Sequence, residues 1–345
     1  MLELYNKKEV SWPTLSILMV NRNGASKMKK SLEAICLQNY PKDLIEILII
    51  DGGSTDDSQE IAERHGAKFI QGGYSENQEA RRHVAVESAK NEIIAWIDTD
   101  NYLTYVSWLK DMVWPFLDDP EIFASQTLRY EYRKKETFFN RYCALFGMND
   151  PVTFYFGKAD RLPYFYSKWK SKGKVTERDK YYKVEFSLDN LPTVGCNGFL
   201  IRKGIIKKVL SVPENFFHID VIADLLKLGY GKIAIVKNSI IHETSDTLWK
   251  LIHRRIDYFK NHSVDLIDRR RYKIYDMFKI KDNFLLVKYI IFTVTLVKPI
   301  FDSLRGFIKK PDLAWLIHPL VCWMFLYAYG KAVISELFLV KSKVE

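Results

Sequence analysis

The sequence predicts an α/β protein with a mostly parallel sheet flanked by helices, and three apolar runs carry that prediction. They are Leu15 to Val20, Ile45 to Ile50 and Ile93 to Ile97, each rich in β-branched residues, short, and closed by polar residues. Stretches of helical periodicity separate them, so strands and helices alternate, which implies parallel pairing through right-handed crossovers. Open sheets of this kind bind ligands at the carboxyl ends of their strands. Asn21, Asp51 and Asp98, which close the three runs, are therefore the first candidate site residues.

Asn21-Arg22-Asn23-Gly24 is a polar turn after the first run, and Ser26 to Leu37 places apolar residues at helical spacing. After the second run, Gly52 and Gly53 permit a tight turn, and Ser54 or Thr55 can cap the helix that runs on from Asp56. The third run opens onto Asp98-Thr99-Asp100, followed by a helix near Val106 to Phe116. Two carboxylates one residue apart offer hard oxygen ligands to Mg²⁺ or Mn²⁺, ions that complete their shell with water and substrate phosphates. The competing reading is that Asp98 and Asp100 only start a loop and cap the next helix.

This constellation resembles the family 2 glycosyltransferases, which carry the nucleotide-diphosphosugar-binding GT-A fold. The matching pieces are the first strand with its Asn-containing turn, Ile49-Ile50-Asp51-Gly52-Gly53-Ser54-Thr55-Asp56-Asp57, and Ile97-Asp98-Thr99-Asp100-Asn101. Glu79 to His83 and Ala89 to Glu92 look like the family's Arg-Asn helix; counted back from Ala89, Arg82 falls on the family arginine and His83 replaces its asparagine. The resemblance implies that Asp98 and Asp100 hold the cation, and that Asp51 and Arg82 hold the nucleobase or ribose with Asn21 nearby. Arg82 also reads as an ordinary solvated helix charge.

Further along, Thr193 to Arg202 reads as a loop entering a strand, with Gly195 and Gly198 where a backbone can approach a ligand. In the family a comparable loop lies beside donor sugar and acceptor, which makes Gly195 and Asn197 candidates; a tight turn with a bulge explains the glycines equally well. Glu214 to Val221 leads into a helix reaching Gly229. Family members carry an acidic motif here whose aspartate is the catalytic base. Asp220 matches it, whereas Ile219 departs from the usual preceding acid. His242 follows strand-like Ile233 to Val236 and Ile240-Ile241, and a late histidine completes the metal shell in several GT-A enzymes, so His242 is a third candidate ligand. A lone histidine is also commonly structural. Arg254 and Arg255 can clamp a diphosphate or attract anionic lipid.

At 345 residues, the chain divides most simply into a catalytic domain over 1–262 and a helical region over 263–345. Met1 to Pro13 lacks the apolar core of a secretory signal. The four cysteines are widely spaced with no Cys-x-x-Cys, which points to neither a zinc site nor a disulfide framework and fits a reducing compartment. The net charge is +10, and residues 251–310 hold 14 Lys and Arg against 6 Asp. These basic residues bracket the apolar stretches Phe284 to Val297 and Leu313 to Tyr329, where Lys288, Lys298 and His318 disfavour uninterrupted spans. Basic, aromatic helices lying on the cytoplasmic face of a membrane are expected. A helical cap or a homodimer interface would use the same surface. Nucleic acid is not an expected partner, because no helix-turn-helix, zinc-finger or RRM pattern accompanies the basic residues. Residues 150–192, aromatic and lysine-rich without clear periodicity, read as an acceptor-side lid or as packing on the core.

The resulting expectation is an inverting, metal-assisted glycosyltransferase. It would use a UDP- or GDP-linked sugar donor and a lipid-linked or glycan acceptor, with Asp220 as general base. The competitors are a sugar-phosphate nucleotidyltransferase, whose Gly-rich basic loop Asn21 to Gly24 does not resemble, and a non-catalytic sugar-nucleotide-binding module on the membrane.

Overall fold

The computed structural model describes residues 10–169, 173–245, 247–256 and 270–341. The three apolar runs form β1 (Leu15–Asn21), β2 (Ile45–Asp51) and β4 (Ile93–Trp96); β3 (Lys68–Gln71) adds an outer strand. α1 (Ala25–Cys36), α2 (Ser58–Arg64) and α3 (Gln78–Ser88) are the crossovers that keep the order β3-β2-β1-β4 parallel throughout. Alternate side chains divide between two cores: Leu18, Leu48, Ile94 and Trp96 face one, Ile17, Ile49, Ile93 and Ala95 the other. Burial on both faces is why the strands read as continuous apolar runs rather than alternating ones.

The second half of the sheet is mixed. After β5 (Asn101–Leu103), α4 (Trp108–Asp118), β6 (Ala124–Tyr130), α5 (Phe138–Phe146) and α6 (Pro151–Tyr155), the chain forms a hairpin of β7 (Lys174–Glu177) and β8 (Tyr181–Glu185). β9 (Phe199–Arg202) inserts antiparallel between β4 and β6, and α7 (Lys203–Ile206) and α8 (His218–Lys227) lead into β10 (Lys232–His242). β10 pairs first with β8 and then, past a bulge between Val236 and Ser239, with β5. The Ser239 carbonyl is taken by the Trp108 indole at 2.8 Å and the Thr104 hydroxyl at 3.0 Å. The bulge re-aims the strand so that His242 pairs with Asn101, next to Asp100.

Residues 150–192 are more regular than their composition predicts. β8 extends the sheet, and Lys183, a charged residue among its buried positions, hides the strand pattern; its ammonium bonds Asp119 and Glu121. The aromatic residues are packed. Phe165 and Phe154 join Phe146 of α5 and Trp315 in a third core, with the Phe146 and Trp315 rings 4.7 Å apart. That core docks a helix over 248–256 (α9) and the C-terminal helices α10 (Ile280–Thr295), α11 (Val297–Lys309) and α12 (His318–Lys341). The expected division between residues 262 and 263 lies outside the described residues.

Among the described residues one helical stretch, Leu313–Val333, is long and apolar enough to cross a membrane; α10 and α11 are bent by 76° at Leu296. Phe284, Val287, Ile291 and Val294 of α10, then Val297, Phe301, Leu304 and Ile308 of α11, are each at least 50% exposed. Their spacing of three and four residues gives each helix a bare apolar stripe.

Candidate active site

The strand tips of β1 and β2 form one end of the site. Asn21 Nδ2 donates to Asp51 Oδ1 at 2.9 Å and to Ser54 Oγ at 3.0 Å; the backbone N–H groups of Gly53 and Ser54 donate to Asp51 Oδ2 at 2.8 and 2.6 Å. Burial pushes the Asp51 carboxyl up, but bonds from Ser54, Asn21 and Gly53 outweigh it and hold the group ionised, below the usual carboxylate range. A Cβ on Gly52 would lie 2.5 Å from the Arg81 guanidinium, which is tied to the carbonyls of Tyr74 at 2.6 Å and Ser75 at 2.9 Å. The arginine packed on the Asp51 turn is thus Arg81.

Arg82 takes a different seat from the one expected. It is 3% exposed and donates to Asp98 Oδ2 at 2.6 Å, because α3 turns successive side chains about 100° apart and aims this one at the tip of β4. Asp98 Oδ1 is buried without a hydrogen-bond partner. Asp100 Oδ2 lies 3.8 Å from His242 Nε2, and Asp100 Oδ1 accepts from Asn101 at 3.1 Å. Burial raises the Asp100 carboxyl, the His242 imidazole opposes that, and the charge on Asp98 adds to it.

No three His, Cys, Asp or Glu side chains among the described residues converge closely enough to form a cation cage. Asp98 and Asp100 nevertheless suit Mg²⁺ or Mn²⁺: one buried carboxylate oxygen lacks a donor, the neighbouring carboxylate is destabilised as an anion, and such ions need few protein ligands when phosphates supply the rest. His242 stands beside this pair.

Gly195 and Asn197 lie in a loop held from below. Both have positive φ, 119° and 55°, and Arg161, fully buried over the Tyr130 ring, donates to the Asn197 carbonyl at 2.6 Å. Asp160, at 2.9 Å, balances the Arg161 charge.

Asp220 does not occupy a base position. It is 0% exposed, and both carboxylate oxygens are filled: Arg270 Nε at 3.1 and 3.2 Å, the Arg271 N–H at 3.0 Å and the Tyr272 N–H at 3.1 Å. On a helix, the residue two positions from one that faces the site points across the axis, which is why it anchors the chain at 270–272 instead. The diphosphate clamp is corrected as well. Arg254 donates to the Thr244 carbonyl at 3.0 Å, and Arg255 lies 3.7 Å from buried Asp150 and over Phe325 in the third core.

The first turn of α8 instead presents His218. Its Nδ1 is 2.9 Å from Glu79 Oε1, and its N–H donates to Glu79 Oε2 at 2.9 Å; Glu79 is 3.7 Å from Arg82. Burial works against a charged imidazole, but Glu79 and then Cys196 outweigh it and push the group up to about 10; burial likewise raises Glu79, while His218 and Arg82 bring it down to about 2. Glu79, His218, Arg81 and Arg161 were not among the sequence-derived site residues. A helix that opens with Glu79 and an Arg pair was the available signal.

The profile of glycosyl transferase family 2 matches residues 16–210. The chain belongs to glycosyl transferase family 2. Over 98 residues it is 31% identical to glycosyltransferase AglE of Haloferax volcanii, covering 26% of this chain and 31% of that protein. It is 36% identical over 98 residues to the putative glycosyltransferase EpsH of Bacillus subtilis, covering 26% and 27%. The chain thus spans less than a third of the length of these two relatives. Its fold is similar to that of mannosyltransferase PcManGT from Pyrobaculum calidifontis, solved with GDP-Man and Mn²⁺: TM-score 0.52, 11% identity, 96% of this chain and 92% of that one. In this family 2 chain, the matched region holds the tips of β1, β2 and β4 and the Gly195 loop, and ends before α8 and His242.

The Glu79–His218 pair gives the fold a pH signature. A raised histidine contributes stability that is complete below pH 6.5 and is lost as pH rises through about 10; a lowered glutamate contributes stability that is complete above pH 4.5 and is lost as pH falls towards about 2. Urea midpoints of the protein and of His218→Gln should differ most between pH 4.5 and 6.5 and converge above pH 10. A constant difference across that range would remove the ion pair.

Proposed function

We propose that the chain is an inverting glycosyltransferase that moves a sugar from a nucleoside diphosphate sugar to an acceptor at the cytoplasmic face of a membrane. The observation that carries this reading is the set of polar side chains at strand ends of one sheet, Asn21, Asp51 and Ser54 on one side and Asp98, Asp100 and His242 on the other, with Arg82 reaching Asp98 from α3. Asp51, Asn21 and the Gly52 turn bind the nucleoside. Asp98 and Asp100, with His242 adjacent, would hold a divalent cation, which would supply positive charge beside the departing diphosphate. Arg82 fixes the Asp98 carboxylate, leaving its second oxygen for the ion. Gly195 and Asn197 leave room for sugar and acceptor. One displacement at the anomeric carbon inverts its configuration. PcManGT, solved with GDP-Man and Mn²⁺, supports a nucleotide sugar and a cation as ligands.

The apolar stripes on α10 and α11 support attachment to a membrane. Lys281, Lys288, Lys298 and Lys309 frame them, the pattern of helices that lie on anionic lipid. The test of the activity is release of nucleoside diphosphate from a panel of UDP- and GDP-sugars with and without Mn²⁺. Release from one donor, dependent on the metal, is expected. Formation of pyrophosphate from a sugar phosphate and a nucleoside triphosphate would identify a nucleotidyltransferase, and tight binding without turnover a binding module.

A further inference from the structure

Resting on that reading, we propose that the acceptor is a phosphate monoester, whose anionic oxygen attacks the anomeric carbon without a protein base, and that His218 is the cation that receives it. A hydroxyl acceptor needs a group to take its proton. Asp220 is sealed by Arg270 and two backbone N–H groups, so it has no lone pair to offer. The group on the same helical turn that reaches the glycine loop is His218: a Cβ on Gly195 would come 3.2 Å from its Cδ2, and the ring is 23% exposed. Glu79 occupies Nδ1, and Cys196 is the other group that acts on the ring.

The groups facing His218 are Glu79, Cys196 and, behind Glu79, Arg82. An imidazolium held against a carboxylate cannot take a second proton, but it can receive an anion. The 10-residue helix α8 starts at His218, so its amino-terminal dipole adds to the same attraction. His218, Glu79, Arg82 and Asp98 form an unbroken chain of contacts of 2.9, 3.7 and 2.6 Å that joins the acceptor end to the cation end of the site.

A phosphate monoester carries close to two negative charges at neutral pH. Its oxygen forms the bond to the anomeric carbon as the bond from that carbon to the donor's phosphate oxygen breaks. The bonding pair leaves with the nucleoside diphosphate, and no proton moves. Behind the clamp on Asp220, a cavity of about 200 Å³ is lined by Lys158, Arg271, Lys273, Lys279 and Lys281 against three aspartates, and it opens beside the start of α10.

The experiment uses the donor identified by nucleotide release and offers four acceptors to the full chain. They are a polyprenyl monophosphate in vesicles, the matching polyprenol in the same vesicles, soluble phenyl phosphate, which has no hydroxyl on carbon, and an alkyl glycoside. Transfer to either phosphate, with none to polyprenol or glycoside, is the expected result; the arm that works says whether the phosphate is lipid-borne or free. Transfer to a hydroxyl acceptor, or donor turnover with no transfer to phosphate, overturns the proposal. Binding of no nucleotide sugar would fail the glycosyltransferase reading itself. His218→Gln should raise the KM for the phosphate acceptor at least tenfold with the donor KM unchanged, and His218→Lys should restore most of it. The rate with the phosphate acceptor should not rise with pH between 7 and 9; a rise through a histidine ionisation would make His218 a base and overturn the proposal.

Discussion

Asp100→Asn abolishes the stabilisation that Mn²⁺ and the donor confer on the protein, and lowers turnover by about two to three orders of magnitude, roughly 3–4 kcal/mol of transition-state stabilisation. The asymmetry within the carboxylate pair singles out Asp100. Asp98 already spends one oxygen on Arg82, whereas the Asp100 carboxyl accepts from Asn101 at 3.1 Å and stands 3.8 Å from His242. Without a cation, burial and the Asp98 charge disfavour ionised Asp100, so exchanging it for a neutral amide relieves the fold. The unliganded variant should melt no lower than the parent. Differential scanning with and without Mn²⁺ and donor checks both halves: at a ligand concentration one hundred times Kd, the parent gains about 2.7 kcal/mol and the variant none. A variant that keeps the Mn²⁺-dependent gain would place the cation elsewhere.

Asp220→Asn is expected to act on the fold before it acts on chemistry. An amide in that seat turns an N–H₂ towards Arg270 or towards the N–H groups of Arg271 and Tyr272, and leaves the guanidinium unpaired. Breaking a buried charge pair costs about 3–5 kcal/mol. At roughly 2–4 °C per kcal/mol for a domain of 150–250 residues, the melting temperature should fall by about 10 °C. Thermal denaturation separates this anchor from a base. A base variant would melt with the parent and fail only in turnover, and that outcome would contradict the clamp.

The sequence made the first half of the fold readable because β1, β2 and β4 are buried on both faces and end in polar residues at the ligand edge. Leu15 to Asp51 shows this most plainly, with every position of β1 buried. The same regularity placed Asp51, Asp98 and Asp100. His242 was legible through a strand that ends on it, although the bulge that carries it to Asp100 leaves no periodic trace. What failed was direction. Arg81 and Arg82 are neighbours in sequence, yet one packs on Gly52 and the other bonds Asp98, because a helix sends adjacent residues to different partners. Asp220 and His218 differ by two positions, so a motif count that slips by two residues exchanges a buried anchor for a site cation. Arg255 looked like a phosphate ligand because sequence does not reveal Asp150, the buried carboxylate that claims it. Residues 150–192 were opaque for a related reason: Trp315, the ring that Phe165 packs against, lies far along the chain, so the segment carries no local sign of its partner.

The most direct test of the central claim is a structure of the full chain with Mn²⁺ and its nucleotide sugar. Such a structure should show the metal held by Asp100 next to the diphosphate, with the nucleoside against Asp51 and the Gly52 turn. A nucleotide bound away from these strand tips, or a metal that touches neither Asp98 nor Asp100, would contradict it.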